Sequence, residues 1–219
     1  MRHQTKNMSE LEIFEFRKVN TNDPYDEKYD DGAAWSRVYE YRLVVEEMRK
    51  HSVINKSTAL HNSSWGFEDL HIQFKDELDS ISDNCIHSDI QESALPKTSL
   101  WNITKKPPKD YLEKFDVVMN VSTMEEVDFE HMKVFNNLLS QVKVGGLLIC
   151  TFDLPGLQLP AFESRFERKL ETSATDITGL NSKLQNKTYG NLSCGIMVLK
   201  KLQSTLEHDS KFWVRLLNL

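Results

Sequence analysis

The sequence has no long apolar run. None of its hydrophobic stretches approaches the roughly 20 consecutive apolar residues that a membrane-spanning helix needs. The first residues, MRHQTKNMSELEIFEF, also lack the apolar core of a secretory signal peptide. The pattern therefore predicts a cytoplasmic protein without a membrane span.

Cysteine is scarce, and the familiar catalytic motifs are missing. The three cysteines, Cys85, Cys150 and Cys194, are odd in number and widely spaced, which argues against a disulfide framework or a zinc site. Cys150 and Cys194 lie in apolar runs and are predicted to be core residues. The histidines do not have the spacing of a helical metal pair, and neither a G-x-S-x-G elbow nor a Walker loop is present. No metal site is predicted.

Positive charge is in deficit. The chain has 27 Lys and Arg against 33 Asp and Glu, a formal net charge of -6. Binding to duplex nucleic acid needs a basic face, so nucleic acid is not expected as the main partner. A chain of 219 residues is long enough for one well-buried domain.

The most informative stretch runs from Phe115 to Phe152. A short β-branched apolar run at 117–119 predicts a strand buried on both faces, and apolar residues at helical spacing from Phe129 to Val142 predict a helix. Gly145-Gly146 is predicted to end that helix, and residues 147–152 to form a second buried strand. Two buried strands joined by a helix indicate a parallel sheet, whose ligands bind beyond the carboxyl ends of the strands. Residues 120–127 are therefore predicted to line a site.

Other segments fit the same pattern. Apolar residues recur at three- and four-residue steps from Trp35 to Met48 and from Leu70 to Ile81, which predicts two helices. Residues 1–32 are predicted to be an N-terminal lead-in, with a short strand at 11–16, and residues 33–219 to be the main domain. The predicted parallel strands are 57–62, 84–90, 98–103, 115–121 and 147–152; short helices are predicted at 107–114 and 162–170, and a strand at 195–199 antiparallel to a neighbour near 181–188.

The stretch FDVVMNVSTMEEV followed by LLSQVKVGGLLICTF resembles class I S-adenosylmethionine-dependent methyltransferases. Glu125-Glu126 occupies the position of that family's Glu-His pair, and the turn at 143–146 that of its Lys-Pro-Gly-Gly. The resemblance covers residues 34–152. It implies a three-layer α/β sandwich with a mainly parallel, Rossmann-like sheet and an antiparallel C-terminal strand. It also implies S-adenosylmethionine as cofactor and a small molecule or a saccharide as methyl acceptor.

The resemblance also implies a cofactor site. Asp89, at the end of the second predicted strand, would accept hydrogen bonds from the cofactor's ribose, although it could instead cap a turn or a helix. Arg37 lies in WSRVYEY, which resembles a helix that lines the cofactor pocket in the family. The turn after the first strand, where the family has a Gly-rich loop, has a single glycine here; its other residues carry Cβ atoms that limit positive φ. The remaining implied cofactor residues are His61, Asn62, Ser63, Ser64, Trp65, Gly66, Asn102, Asn120, Val121 and Ser122.

Glu126 is the predicted catalytic base, since it replaces the family's histidine and a carboxylate can take a proton if its pKa is raised. It could instead be a solvated residue that interacts favourably with a helix N-terminus. The segment with Pro155, Gly156 and Pro160 is predicted to cover the acceptor pocket. The alternative function is a catalytically inactive, methyltransferase-like binding or scaffold protein, because a fold never proves an activity.

Overall fold

The computed structural model describes residues 10–29, 36–52, 54–64, 69–92, 97–177 and 193–205. None of the helices in these ranges is long and apolar enough to cross a membrane. Single 3-10 turns lie at Glu27–Tyr29, Lys109–Tyr111 and Met124–Glu126. The helices and strands are β1 (Leu11–Lys18), α1 (Arg37–His51), β2 (Leu60–Asn62), α2 (Asp69–Ile81), β3 (Cys85–Asp89), β4 (Thr98–Leu100), β5 (Phe115–Val121), α3 (His131–Leu139), β6 (Val142–Leu154), α4 (Leu159–Phe166) and β7 (Ser193–Lys201).

The seven strands of the described ranges form one mixed sheet in the order β1-β7-β6-β5-β2-β3-β4. Strands β6, β5, β2, β3 and β4 are parallel to one another. Strand β7 is antiparallel to both β6 and β1. The predicted mainly parallel sheet with an antiparallel C-terminal strand is therefore confirmed.

Both faces of the sheet are covered, which confirms the predicted three layers. Successive side chains of a strand point to opposite faces, and in β5 Val117 and Met119 belong to one core cluster while Val118 belongs to the other. Helices α1 and α2 pack on the first face, whereas α3 and α4 pack on the second. Burial on both faces explains why β5 and β6 read as continuous apolar runs in the sequence.

Strand β5 has the predicted bounds, but the glycine pair has a different role. Helix α3 ends at Leu139, and Gly145 and Gly146 lie inside β6 rather than at the helix end. A Cβ on Gly146 would lie 2.7 Å from the Asp116 carbonyl oxygen, and Gly145 has φ +86°. The pair thus allows β6 to bend where its pairing with β5 shifts register.

The edge regions differ more from the prediction. Strands β2 and β4 have three residues each, shorter than the predicted 57–62 and 98–103. The predicted helix at 107–114 is a 3-10 turn, and α4 begins and ends earlier than the predicted 162–170. The predicted neighbour of the C-terminal strand near 181–188 lies outside the described residues; the described partners of β7 are β6 and β1. The boundary at residue 33 stays a prediction, although β1 lies upstream of it in the same sheet.

Candidate functional site

Several predicted site residues lie at one edge of the sheet. Strands β2, β3, β5 and β6 are parallel, and Asn62 pairs in register with both His87 and Met119. Their carboxyl ends therefore lie side by side, about 4.8 Å apart from strand to strand. Asp89, Ser63, Ser64 and residues 120–122 all lie at this edge. Trp65 and Gly66 lie outside the described residues.

The turn after β2 is hydrogen-bonded to the end of β5. The Ser63 amide donates to the Met119 carbonyl at 3.0 Å, and the Val121 amide donates to Ser64 Oγ at 2.8 Å. Asn120 Nδ2 donates to the Ser63 carbonyl at 2.6 Å. Neither Ser63 nor Ser64 has a positive φ, so the backbone strain expected from the missing glycines is absent at these two positions. The two serines join the strands and are themselves buried.

His61 lies in an aromatic cluster of the core rather than at the edge. Its Nε2 hydrogen-bonds to Ser88 Oγ at 2.6 Å, and its ring stacks on Phe115 with 4.8 Å between centroids. Burial lowers the pKa of His61 to about 3, so the imidazole is neutral. Trp101 and Tyr111 complete the aromatic surroundings.

Asn62 organises a second buried polar network beneath α2. Its Nδ2 lies 3.4 Å from His71 Nε2 and 3.3 Å from His87 Nδ1. If the amide donates to both rings, His71 carries its proton on Nδ1, facing the Tyr41 hydroxyl, and His87 carries it on Nε2, facing Asp79. Hydrogen bonding within the network thus accounts for Asn62 without a ligand.

Among the described residues, only one of the two carboxylate oxygens of Asp89 has a hydrogen-bond donor. Its Oδ1 accepts a hydrogen bond from the Gln91 amide at 3.0 Å, which is the turn role considered from the sequence. Its Oδ2 is buried and has no hydrogen-bond partner within the described part of the chain. One carboxylate oxygen therefore remains for a donor from outside. Asn102, by contrast, is exposed, and its side-chain Oδ1 accepts two hydrogen bonds from Thr104.

The N-terminus of α1 contributes a buried carboxylate to the same edge. Glu40 is completely buried and accepts hydrogen bonds from Ser36 Oγ at 2.6 Å, from the Arg37 guanidinium and from the Ser122 hydroxyl. Burial alone would raise the pKa of Glu40, but the Arg37 charge and these hydrogen bonds hold it below its ordinary value. Glu40 thus brings Arg37 and Ser122 together. In the sequence, the only indication of a role for Glu40 was its place in the segment WSRVYEY, which resembles a pocket-lining helix of the family.

Two further carboxyls, Glu125 and Asp153, lie beside Glu40. The Asp153 amide donates to Glu125 Oε1 at 2.7 Å, while Glu125 Oε2 and Asp153 Oδ1 are buried without a partner among the described residues. Burial and the charge of Asp153 raise the pKa of Glu125 to about 8. Burial and the charge of Glu40 raise the pKa of Asp153 to about 7. Both groups can therefore exchange a proton near neutral pH.

The sequence predicted Glu126 as the catalytic base and did not indicate the pair of Glu125 and Asp153. Glu126 is exposed on the 3-10 turn that follows β5, whereas its neighbour Glu125 is buried. Asp153 lies near the carboxyl end of β6, as Asp89 does for β3, so the rule that selected Asp89 could have found it. His131, the first residue of α3, is buried, and its Nδ1 accepts from the Gln158 amide at 3.0 Å.

A cavity of about 590 Å³ opens elsewhere, at the amino-terminal end of the central strands. Asn84, Cys85 and Phe115, which lie at the starts of β3 and β5, help to line it. None of the predicted site residues borders this cavity. The carboxyl edge is the stronger candidate for the functional site, because ligands of open parallel sheets bind there.

No family model matches the sequence, and no curated protein matches it significantly. Three similar solved structures are the [4+2]-cyclase SpnF (12% identity, 85% of this chain and 89% of that chain, TM-score 0.48), an rRNA methylase from Streptococcus thermophilus (16%, 75% and 97%, 0.47), and geranyl diphosphate C-methyltransferase from Streptomyces coelicolor with S-adenosyl-L-homocysteine bound (10%, 89% and 93%, 0.46). At these values the likeness concerns the fold and carries no argument about activity.

Proposed function

We propose that this chain is an S-adenosylmethionine-dependent methyltransferase that acts on a small molecule or a saccharide. The observation that carries the proposal is the buried Oδ2 of Asp89 at the carboxyl end of β3, which has no hydrogen-bond partner among the described residues. In α/β sheets that bind nucleotides, an acidic residue near this position accepts hydrogen bonds from ribose hydroxyls. A buried carboxylate oxygen without a donor costs stability, so a ligand that supplies one would be bound favourably.

The other residues of this edge have roles consistent with such a cofactor. Arg37 is half-buried and has five N–H donors. Within the described ranges its hydrogen bond goes from Nη1 to Glu40, which leaves donors for the carboxylate of the cofactor's methionine part. Glu40 orients that guanidinium and the Ser122 hydroxyl. The cofactor would supply a methyl group already activated on a sulfonium. The protein then contributes mainly by positioning the nucleophile against it.

A second candidate is a methyltransferase-like binding protein without catalysis. The observation in its favour is the turn after β2, where the Ser63 carbonyl and the Ser64 hydroxyl are already bonded to β5. These groups would have to be released before they could bind a cofactor. The outline of the fold would persist in such a protein without the activity.

Calorimetric titration with S-adenosylmethionine and S-adenosylhomocysteine separates the two candidates. We expect the native protein to bind both, and Asp89→Ala to bind them about tenfold or more weakly, equivalent to about 1.4 kcal/mol or more. Asp83→Ala is the matched control, because Asp83 is an exposed carboxylate beside the other end of β3. Its affinity should equal that of the native protein.

Each other outcome has a defined meaning. Equal binding by native protein and Asp89→Ala would refute the ribose role of Asp89. No heat at millimolar cofactor would refute the methyltransferase proposal and favour the binding protein. Asp89→Asn, which keeps the shape of the side chain, replaces Asp89→Ala if the alanine variant unfolds.

A further inference from the structure

The carboxyls of Glu125 and Asp153 form a pair that the rest of the protein leaves incomplete. Glu125 is 9% exposed, and its Oε1 is used by the Asp153 amide. Its Oε2 and the Oδ1 of Asp153 are buried and have no donor in the described ranges. Buried polar atoms in native proteins are nearly always paired, so two unpaired acceptors in one cluster indicate a missing donor.

None of the described neighbours donates a hydrogen bond to these two oxygens. Glu40 is bonded to Ser36, Arg37 and Ser122, so it is satisfied and its charge is matched by the guanidinium. Cys194, which pairs with Asp153 across β6 and β7, directs its Sγ towards Glu40 at 3.5 Å. The oxygens without a partner in the described ranges therefore belong to Glu125 and Asp153, which share one negative charge near neutral pH.

The chemistry of the missing donor can be narrowed. A hydroxyl has one O–H and could satisfy only one of the two oxygens, whereas a primary amine or ammonium has at least two N–H donors. A divalent metal ion fits less well, because the Arg37 guanidinium adjoins the cluster and Glu40 is already occupied. An organic monocation with several N–H groups meets both the hydrogen-bonding and the charge requirement.

We infer that Glu125 and Asp153 bind the nitrogen of an amine acceptor and take a proton from it. This inference rests on the proposed methyltransferase function. The acceptor enters as R–NH3+ and transfers one proton to the carboxyl pair. The nitrogen lone pair then forms a bond to the methyl carbon of the sulfonium donor, while the carbon–sulfur bond breaks and its electron pair stays on sulfur. The products are R–NH2–CH3+ and a neutral thioether.

The protonation state of the two carboxyls allows them to accept a proton from the amine. Its pKa values of about 8 for Glu125 and about 7 for Asp153 allow one of the two carboxyls to be ionised near neutral pH. The exposed turn with Pro155 and Gly156 lies directly on Glu125, since a Cβ on Gly156 would be 3.2 Å from Glu125 Cβ. This is the segment expected from the sequence to cover the acceptor pocket.

The site can be tested without any methyl donor, with methylammonium chloride as the probe. Side-chain carboxyl 13C resonances of Glu125 and Asp153, assigned with Glu125→Gln and Asp153→Asn, would be followed during the titration. We expect both resonances to shift and saturate with methylammonium. Methanol, with one O–H, and tetramethylammonium, with charge but no N–H, should produce no saturating shift. Sodium chloride at equal ionic strength is the blank.

In Glu125→Gln, the carboxyl resonance of Asp153 should report methylammonium binding that is roughly tenfold or more weaker. Asp128→Asn, on the exposed segment that follows, should bind methylammonium like the native protein. The inference is overturned if methylammonium produces no saturating shift, if tetramethylammonium is equally effective, or if MgCl2 saturates the same resonances at lower concentration. The native titration decides the matter even if a variant does not fold. Failure here leaves the cofactor calorimetry unaffected, so it is distinguishable from failure of the methyltransferase proposal.

Discussion

The turn after β2 and the Glu125–Asp153 pair lie at the same edge of the sheet and both contain buried polar atoms, but these atoms are paired differently. In the turn, the Ser63 amide and carbonyl and the Ser64 hydroxyl each have a partner on β5 or next to it. In the carboxyl pair, two oxygens have none within the described ranges. Complete pairing stabilises the fold, whereas incomplete pairing lowers stability and is retained where a ligand can complete it.

The largest change in stability is expected where a buried charge depends on one ionic partner. Arg37→Met removes the partner of Glu40, which is completely buried, and leaves an uncompensated carboxylate. We expect a loss of about 3–5 kcal/mol in the free energy of unfolding, measured by chemical denaturation. Arg42→Met, on the same helix, breaks a partly exposed pair with Glu46 and should cost about 1 kcal/mol or less.

Equal losses for the two arginine variants would contradict the importance of burial at Glu40. A small loss for Arg37→Met alone would mean that Glu40 takes up a proton at little cost. The double variant Arg37→Met with Glu40→Gln distinguishes these cases, because it should recover part of the stability that Arg37→Met loses.

Asn120 tests the paired turn itself. Its Nδ2 donates to the Ser63 carbonyl at 2.6 Å, and its Oδ1 accepts from the Met124 amide at 3.0 Å. Asn120→Ala should therefore cost about 2–4 kcal/mol, since it leaves two buried backbone groups unpaired at about 1–2 kcal/mol each. Asn136→Ala, at an exposed position of α3, should change the stability by no more than about 0.5 kcal/mol. A loss for Asn120→Ala no larger than that of its control would mean that water replaces both hydrogen bonds.

The unpaired region should be visible in the pH dependence of stability. The folded-state pKa of Glu125, about 8, lies above its ordinary 4.5, so the folded state binds more protons between these values and stability falls as pH rises. Asp153, with a pKa of about 7, acts in the same direction. From pH 6.5 to 8 we expect the free energy of unfolding to fall by roughly 1–2 kcal/mol, and Glu125→Gln to remove at least half of that fall.

This pH window is chosen because other buried groups act in the opposite direction below it. His61 and His87 have folded-state pKa values of about 3 and 4, lowered by burial, so their contributions to stability rise with pH up to their ordinary 6.5. Asp128→Asn, at an exposed position, is the control and should follow the native curve. A native curve that is flat or rising between pH 6.5 and 8 would show that the carboxyl pair is ionised in the folded state.

The contrast between the two regions also explains what could be predicted from sequence. Strand β5 was predicted to the residue because its apolar run is buried on both faces. The sheet edge was predicted because parallel strands align their carboxyl ends. The burial of Glu125 rather than Glu126 was not, since a single 3-10 turn has no periodicity that distinguishes neighbouring polar residues. Gly145-Gly146 was misread because a glycine pair suits a bent strand as well as a helix end.

The smallest change in stability is expected at Ser122, the residue that directly follows β5. It has φ +37° and donates its hydroxyl to Glu40. Ser122→Ala and Ser122→Gly both remove the hydroxyl, but only glycine relieves the left-handed backbone, so the glycine variant should be more stable than the alanine variant by about 1 kcal/mol. At Ser80, an exposed position of α2, the order should reverse by about the same amount, because alanine is favoured over glycine in a helix. The measurement is chemical denaturation of all four variants, and the same order at both positions would mean that the backbone at Ser122 is not strained.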